Sequence, residues 1–145
     1  MNIDGFEVTP IHRDPTYVDE LEEKIRTVPN FLSKSETLWS TISQAGSSFF
    51  EIKDCGLVGI VNTRAGYYAD AHITFWDGKL EGKEEVCREL ATLLIEACRL
   101  HFLLTYIPER RLNLIGFASD VGFVPIKRSN GVVMMSFFKE RIKWE

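Results

Sequence analysis

The sequence predicts a mixed α/β domain whose sheet starts antiparallel and ends with a parallel crossover. Three observations carry this. Short β-rich runs between residues 47 and 77 are separated by hairpin-sized gaps, the pattern of an antiparallel meander. From Glu84 to about Leu100 the periodicity switches to that of one long amphipathic helix. An apolar run, "FLLTYI" (102–107), follows that helix directly. A strand on each side of a helix closes most simply with the two strands parallel.

Taken in order, "FEVTPI" (6–11) alternates as a strand does. Asp14-Pro15-Thr16 then reads as a helix entry, with Asp14 as N-cap and Pro15 at the first helical position. The helix "TYVDELEEKIRTV" (16–28) puts Val18, Leu21, Ile25 and Val28 on one face, and Pro29-Asn30 ends it. "KSETLWSTISQAG" (34–46) reads as a shorter helix, with Ser35 and Leu38 near its start and Gly46 past its end. The strands "SSFFEIKD" (47–54), "LVGIVNT" (57–63) and "YADAHITFWD" (68–77) turn at Cys55-Gly56 and near Gly66. In the long helix, Val86, Leu90, Leu93, Leu94 and Ala97 form the expected apolar face, and Glu85, Arg88, Glu89, Thr92, Glu96 and Arg99 the polar one. "RRLNLIGFASDVGF" (110–123) is a short helix closed by Gly122, and "GVVMMSFFKERI" (131–142) is the last strand. The predicted order is β-α-α-β-β-β-α-β-α-β.

Composition narrows the function classes. The 145 residues suit a single domain with a real core, and no apolar run reaches the ~20 residues of a membrane span. The N-terminus lacks the basic and apolar segments of a secretory signal, so a cytoplasmic protein is expected. Cys55, Cys87 and Cys98 are odd in number and lack CxxC spacing, which suits neither a disulfide framework nor a zinc site. Buried reduced thiols are expected, and no metal. A formal net charge of −4 offers no general attraction to nucleic acid. Two basic spots stand out: Arg110-Arg111, and Lys139-Arg141-Lys143, which reads as solvated surface.

The order of elements, and above all "YIPERRLNLIGFASDVGFVPI" (106–126), resembles the GNAT acyltransferase superfamily over nearly the whole chain. That segment is similar to the family's strand followed by "xPxxNxxAxxxxxxxGF". The stretch "AHITFWDGKLEGKE" resembles small GNAT-like proteins encoded by bacteriophages, which would place this one in a host cytoplasm. The resemblance implies acetyl-coenzyme A as cofactor and an amine as acceptor, either a small molecule or a protein N-terminus or lysine. The cofactor is expected where strands 68–77 and 102–107 diverge, with its pantetheine arm along Ile73, Thr74 and Phe75. The family's pyrophosphate loop, Q/R-x-x-G-x-G/A, aligns with Lys79-Leu80-Glu81-Gly82-Lys83-Glu84. Gly82 would let backbone approach the ligand, and Lys79 and Lys83 would add charge. Glu84 stands where the family has a small residue, and Glu81, Glu84 and Glu85 bring carboxylates to the same helix start.

Carried over position by position, the resemblance puts His72 at the general base. Its ordinary pKa near neutrality suits that role, and a histidine simply facing solvent is the plainer alternative. The family's proton-donating Tyr is replaced by Ala118, which leaves Ser119 or Tyr106 as candidate donors. The family's pantetheine-contacting Asn is replaced by Arg111; Arg110 and Arg111 could instead meet the coenzyme's phosphates. Two functions therefore stay open. One is an N-acyltransferase working by direct attack of the amine. The other is a GNAT-shaped binding or assembly protein without catalysis, a phage component included. The apolar closing strand suggests that one sheet edge is covered by a second subunit or an assembly partner.

Overall fold

A computed structural model describes residues 1–28 and 37–138. The predicted mixed α/β fold is the one found: the described residues form eight strands in the order β1-β2-β3-β4-β5-β6-β8-β7, with four helices. The strands are β1 (Asn2–Ile3), β2 (Phe6–Pro10), β3 (Ser48–Ile52), β4 (Gly56–Arg64), β5 (Tyr68–Phe75), β6 (Phe102–Pro108), β7 (Val124–Ser129) and β8 (Val132–Phe138). The helices are α1 (Pro15–Ile25), α2 (Leu38–Ile42), α3 (Glu84–Cys98) and α4 (Leu112–Val121). Among the described residues β5 and β6 pair in parallel, Tyr68 to Asp70 against Phe102 to Leu104. The chain forms two compact units: Met1–Asn62 with His72–Lys79, and Thr63–Ala71 with the chain from Leu80 on.

In the first unit, α1 begins as its local chemistry dictates. Asp14 is extended and its carboxylate accepts the Thr16 N–H at 3.0 Å, with Pro15 next. Val18, Leu21 and Ile25 are buried. The helix ends at Ile25, short of the predicted Val28, with Arg26 as C-cap. The predicted break at Pro29-Asn30 and the predicted start of the next helix, including Ser35, lie outside the described residues. A capping box between Thr37 and Ser40 starts α2. The Leu38 N–H donates to the Glu22 carboxylate at 2.5 Å, tying α2 to α1. Both helices pack on β3 and β4 in a cluster of Val18, Leu21, Ile25, Leu38, Ile42, Phe49 and Leu57. The Tyr17 hydroxyl, at the margin of that cluster, donates to Glu51 at 2.8 Å. Burial, then Glu51, pushes its phenol above its ordinary pKa.

Two glycines in this unit, Gly56 and Gly59, are required by space. A Cβ on Gly56 would lie 2.1 Å from the Thr74 carbonyl oxygen and 2.6 Å from a Phe75 ring carbon. The first residue of β4 therefore has no room for a side chain against β5.

In the second unit, β6 pairs antiparallel with β8, and β7 with β8. Val86, Cys87, Leu90, Ala91, Leu94 and Ile95 of α3 are buried. The predicted stripe is corrected here: Ala97 is exposed and Leu93 half-buried, because the face follows the pairs 86/87, 90/91 and 94/95. Ile107, Ala118, Val133 and Met135 form a core on which Leu114, Ile115 and Phe123 pack. Gly122 closes α4 as expected, with φ 127. The last strand is described to Phe138; its predicted continuation to residue 142, with Lys139, Arg141 and Lys143, lies outside the described residues. Two strands were not predicted. β1 is two residues long, and β7, "VPIKRS", is exposed at every position. Pro125 and two basic residues hide the alternation of β7, and an edge strand tolerates them.

Candidate active site

The segment from His72 to Arg88 contains most of the residues singled out. In the first unit, the two-residue period of β5 sends His72 and Thr74 to one face and Ile73 and Phe75 to the other. His72 is exposed, Ile73 half-buried, and Thr74 and Phe75 buried. The Thr74 hydroxyl, on a residue only 4% exposed, has no hydrogen-bond partner among the described residues. The strand ends in a tight turn. The Gly78 N–H donates to the Phe75 carbonyl at 3.3 Å, and the Lys79 N–H to the Asp77 carboxylate at 3.1 Å. Lys79 is exposed.

In the second unit, Leu80 to Lys83 form the turn into α3, closed by the Lys83 N–H on the Leu80 carbonyl at 3.2 Å. Gly82 has φ +86, and a Cβ there would meet nothing within 4 Å. Glycine is thus needed for the backbone shape, and the space beside it is open. The Gly82 N–H already serves an anion: it donates to the Glu84 carboxylate at 3.1 Å. Lys83 is the N-cap, makes no side-chain cap bond, and is 3% exposed, so it is not a free surface charge.

The other first-turn carboxylate is committed elsewhere. Glu85 pairs with Arg88. Arg88 also donates to the Val121 carbonyl at 2.9 Å and to the Asp120 carbonyl, both at the end of α4. This satisfies carbonyls left over at a helix C-terminus and draws that end, with Ser119, to the first turn of α3. Cys87, inside the same turn, is pushed up to about 12 by burial; Glu84 adds to the rise and Lys83 opposes it. A thiol held protonated in this way is no nucleophile.

The remaining candidates are dispersed over the second unit. Ser119 is exposed on α4, while its neighbour Ala118 is buried in the core. Tyr106, 54% exposed, pairs with Met134 across β6 and β8. It points to the sheet face opposite Ile107, and so away from α4 and Ser119. Partial burial, then Asp70 and Tyr68, raises its pKa, which makes it a weaker acid. Arg110 and Arg111 are exposed where α4 starts, and Arg111 is its N-cap. Neither has an acidic partner among the described residues. Ten helical residues, about 15 Å, separate them from the end that Arg88 holds.

The Glu84 bond and the Arg88 tie were not anticipated from the sequence. A carboxylate two residues after a glycine at a helix start is the local signal for the first. Nothing local signals the second, which joins residues more than 30 apart. Among the described residues no cluster of His, Cys, Asp or Glu could hold a metal ion, and no helix is long and apolar enough to cross a membrane.

Solved structures share this architecture. A dodecameric spermidine N-acetyltransferase from Vibrio cholerae matches over 92% of this chain and 94% of its own, with TM-score 0.73 and 13% identity. The N-acetyltransferase PseH from Campylobacter jejuni, in complex with acetyl coenzyme A, matches over 92% and 100%, with TM-score 0.66 and 8% identity. At such identities the likeness is one of fold. No protein-family model matches the chain, and no curated protein matches it in sequence.

Proposed function

From a chain that has the GNAT fold, we propose an N-acyltransferase that moves an acetyl group from acetyl-coenzyme A to an amine. The observation that carries this reading is Gly82, a positive-φ glycine beside open space at the start of α3, whose N–H already binds a carboxylate. An N–H that donates to one anion suits another, and helix N-termini favour phosphate. The orphaned Thr74 hydroxyl is a second point of fit, since a buried polar group without a partner is costly until a ligand supplies one.

In this reading the backbone of Ile73, Thr74 and Phe75 holds the pantetheine arm. Gly82 and Lys79 face the pyrophosphate, and Arg110 and Arg111 supply further positive charge for phosphate. Acetyl-coenzyme A supplies the acetyl group as a thioester. His72, exposed on β5, takes the proton from the attacking amine. Ser119 and Tyr106 are the candidate hydrogen-bonding partners of the departing sulfur. The test is release of free thiol from acetyl-coenzyme A in the presence of a panel of amines. Amine-dependent release supports the reading; its absence across the panel, with the cofactor bound, rejects catalysis.

That last outcome would favour a second reading, a GNAT-shaped binding or assembly protein. One observation favours it: buried Ala118 stands where the family keeps its acid. Either reading takes residues 1–145 as one functional domain.

A further inference from the structure

The first unit carries a pocket of about 160 Å³ that none of the candidate site residues above lines. It lies where β2 ends, α2 ends and β3 begins. Ile11, Ile42 and Phe49 give it apolar walls, and Arg13 and Ser47 its polar groups. The walls are anchored: the Ile11 N–H donates to the Phe49 carbonyl at 3.1 Å, and Ile42 and Phe49 are buried in the cluster under α1 and α2.

Both polar groups lack partners among the described residues. The Ser47 hydroxyl oxygen is buried without a hydrogen bond, an arrangement that native proteins avoid unless something else completes it. The exposed Arg13 has no ion pair or hydrogen bond among the described residues. Its sequence neighbour Asp14 caps α1. A guanidinium and a hydroxyl donor beside the Ile11, Ile42 and Phe49 side chains are complementary to a carboxylate joined to a short aliphatic group. At ~30 Å³ per water molecule the hollow holds about five water-sized groups, the scale of a small amino acid.

We propose that this pocket recognises the acceptor, and that the acceptor is a small aliphatic amino carboxylate. This rests on the N-acyltransferase reading for the fate of the amine, but the pocket's ligand can be tested apart from it. Arg13 pairs with the carboxylate, Ser47 donates the second hydrogen bond, and Ile11, Ile42 and Phe49 enclose the side chain. The pocket and His72 belong to the same unit. A polycation is disfavoured, since its ammonium groups would meet Arg13.

The experiment is a titration of the full chain with L-valine, without acetyl-coenzyme A, followed by amide chemical shifts. Valinamide, spermidine and inorganic phosphate are the comparison probes. The expected result is saturable shifts centred on Ile11, Ser47 and Phe49 with valine only, weakened at least tenfold by R13Q and by S47A. Valinamide or spermidine binding as well as valine would overturn the proposal, as would phosphate alone shifting these amides, or R13Q binding valine unchanged. Arg13 is exposed, so R13Q should keep the fold, and its spectrum reports that directly. A protein that binds valine here yet transfers no acetyl group would reject the enzyme reading and leave the pocket standing.

Discussion

Replacing Glu84 by alanine separates two roles that one carboxylate could have. As a structural group, Glu84 accepts the Gly82 N–H and places negative charge in the first turn of α3. The hydrogen bond is worth about 1 kcal/mol and the charge at the helix start about 0.3–1 kcal/mol. The ligand-free protein should thus lose about 1–2 kcal/mol, or roughly 3–6 °C in Tm for a chain of this size. As a competitor, Glu84 must leave the Gly82 N–H before a phosphate can take it. Removing it should tighten acetyl-coenzyme A binding by about 1 kcal/mol, roughly fivefold in Kd. Thermal unfolding without ligand and calorimetric titration with acetyl-coenzyme A measure the two quantities on the same samples. The prediction is a pair of opposite signs: lower Tm, tighter binding. A variant with lower Tm and equal or weaker affinity would refute the reasoning, because Glu84 would then be helping to build the loop rather than occupying its anion position.

Three further outcomes follow from the same geometry. Gly56→Ala puts a methyl group 2.1 Å from the Thr74 carbonyl oxygen and should cost about 3 kcal/mol by thermal unfolding; a loss below about 1 kcal/mol would contradict the packing of β4 on β5. Cys87 is protonated in the folded state up to about pH 12 and ionises from about pH 9 when unfolded. Its contribution is therefore complete below pH 9 and lost as pH rises toward 12, and a Cys87→Ala variant should show a flatter fall of stability with pH across that window. His72→Ala should lower turnover at neutral pH by about 10²-fold or more while leaving the Kd for acetyl-coenzyme A unchanged; an equal turnover would remove His72 as the base.

Legibility in the sequence followed the range of the interaction. The entry into α1 could be read because Asp14 and Pro15 act on their own next turn. The switch from strand to helix between β5 and α3 could be read from periodicity alone. β7 could not, because an exposed edge strand buries nothing and so leaves no alternation. The register of the α3 face was misread by one position at its end, where Ala97, a small apolar residue, carries little information about burial. At the candidate site, the glycine at position 82 was legible as a place for close backbone approach or a plain turn; its positive φ was not. That Glu84 would fold back on the Gly82 N–H, and that Glu85 would be drawn off by Arg88, depends on side-chain choices between neighbours of equal charge. The pocket around Arg13 left no trace at all. It is assembled from the ends of three elements, and its signal is two missing hydrogen bonds rather than any residue pattern.

The account stands or falls most directly on acetyl-coenzyme A binding to the intact chain. At ~100 times its Kd the cofactor should stabilise the protein by ~2.7 kcal/mol, seen as a rise of roughly 5–10 °C in Tm. Gly82→Val, whose side chain enters the open space beside the loop, should abolish that rise. No shift at millimolar cofactor, or an undiminished shift in Gly82→Val, would contradict the claim that the loop before α3 holds the cofactor.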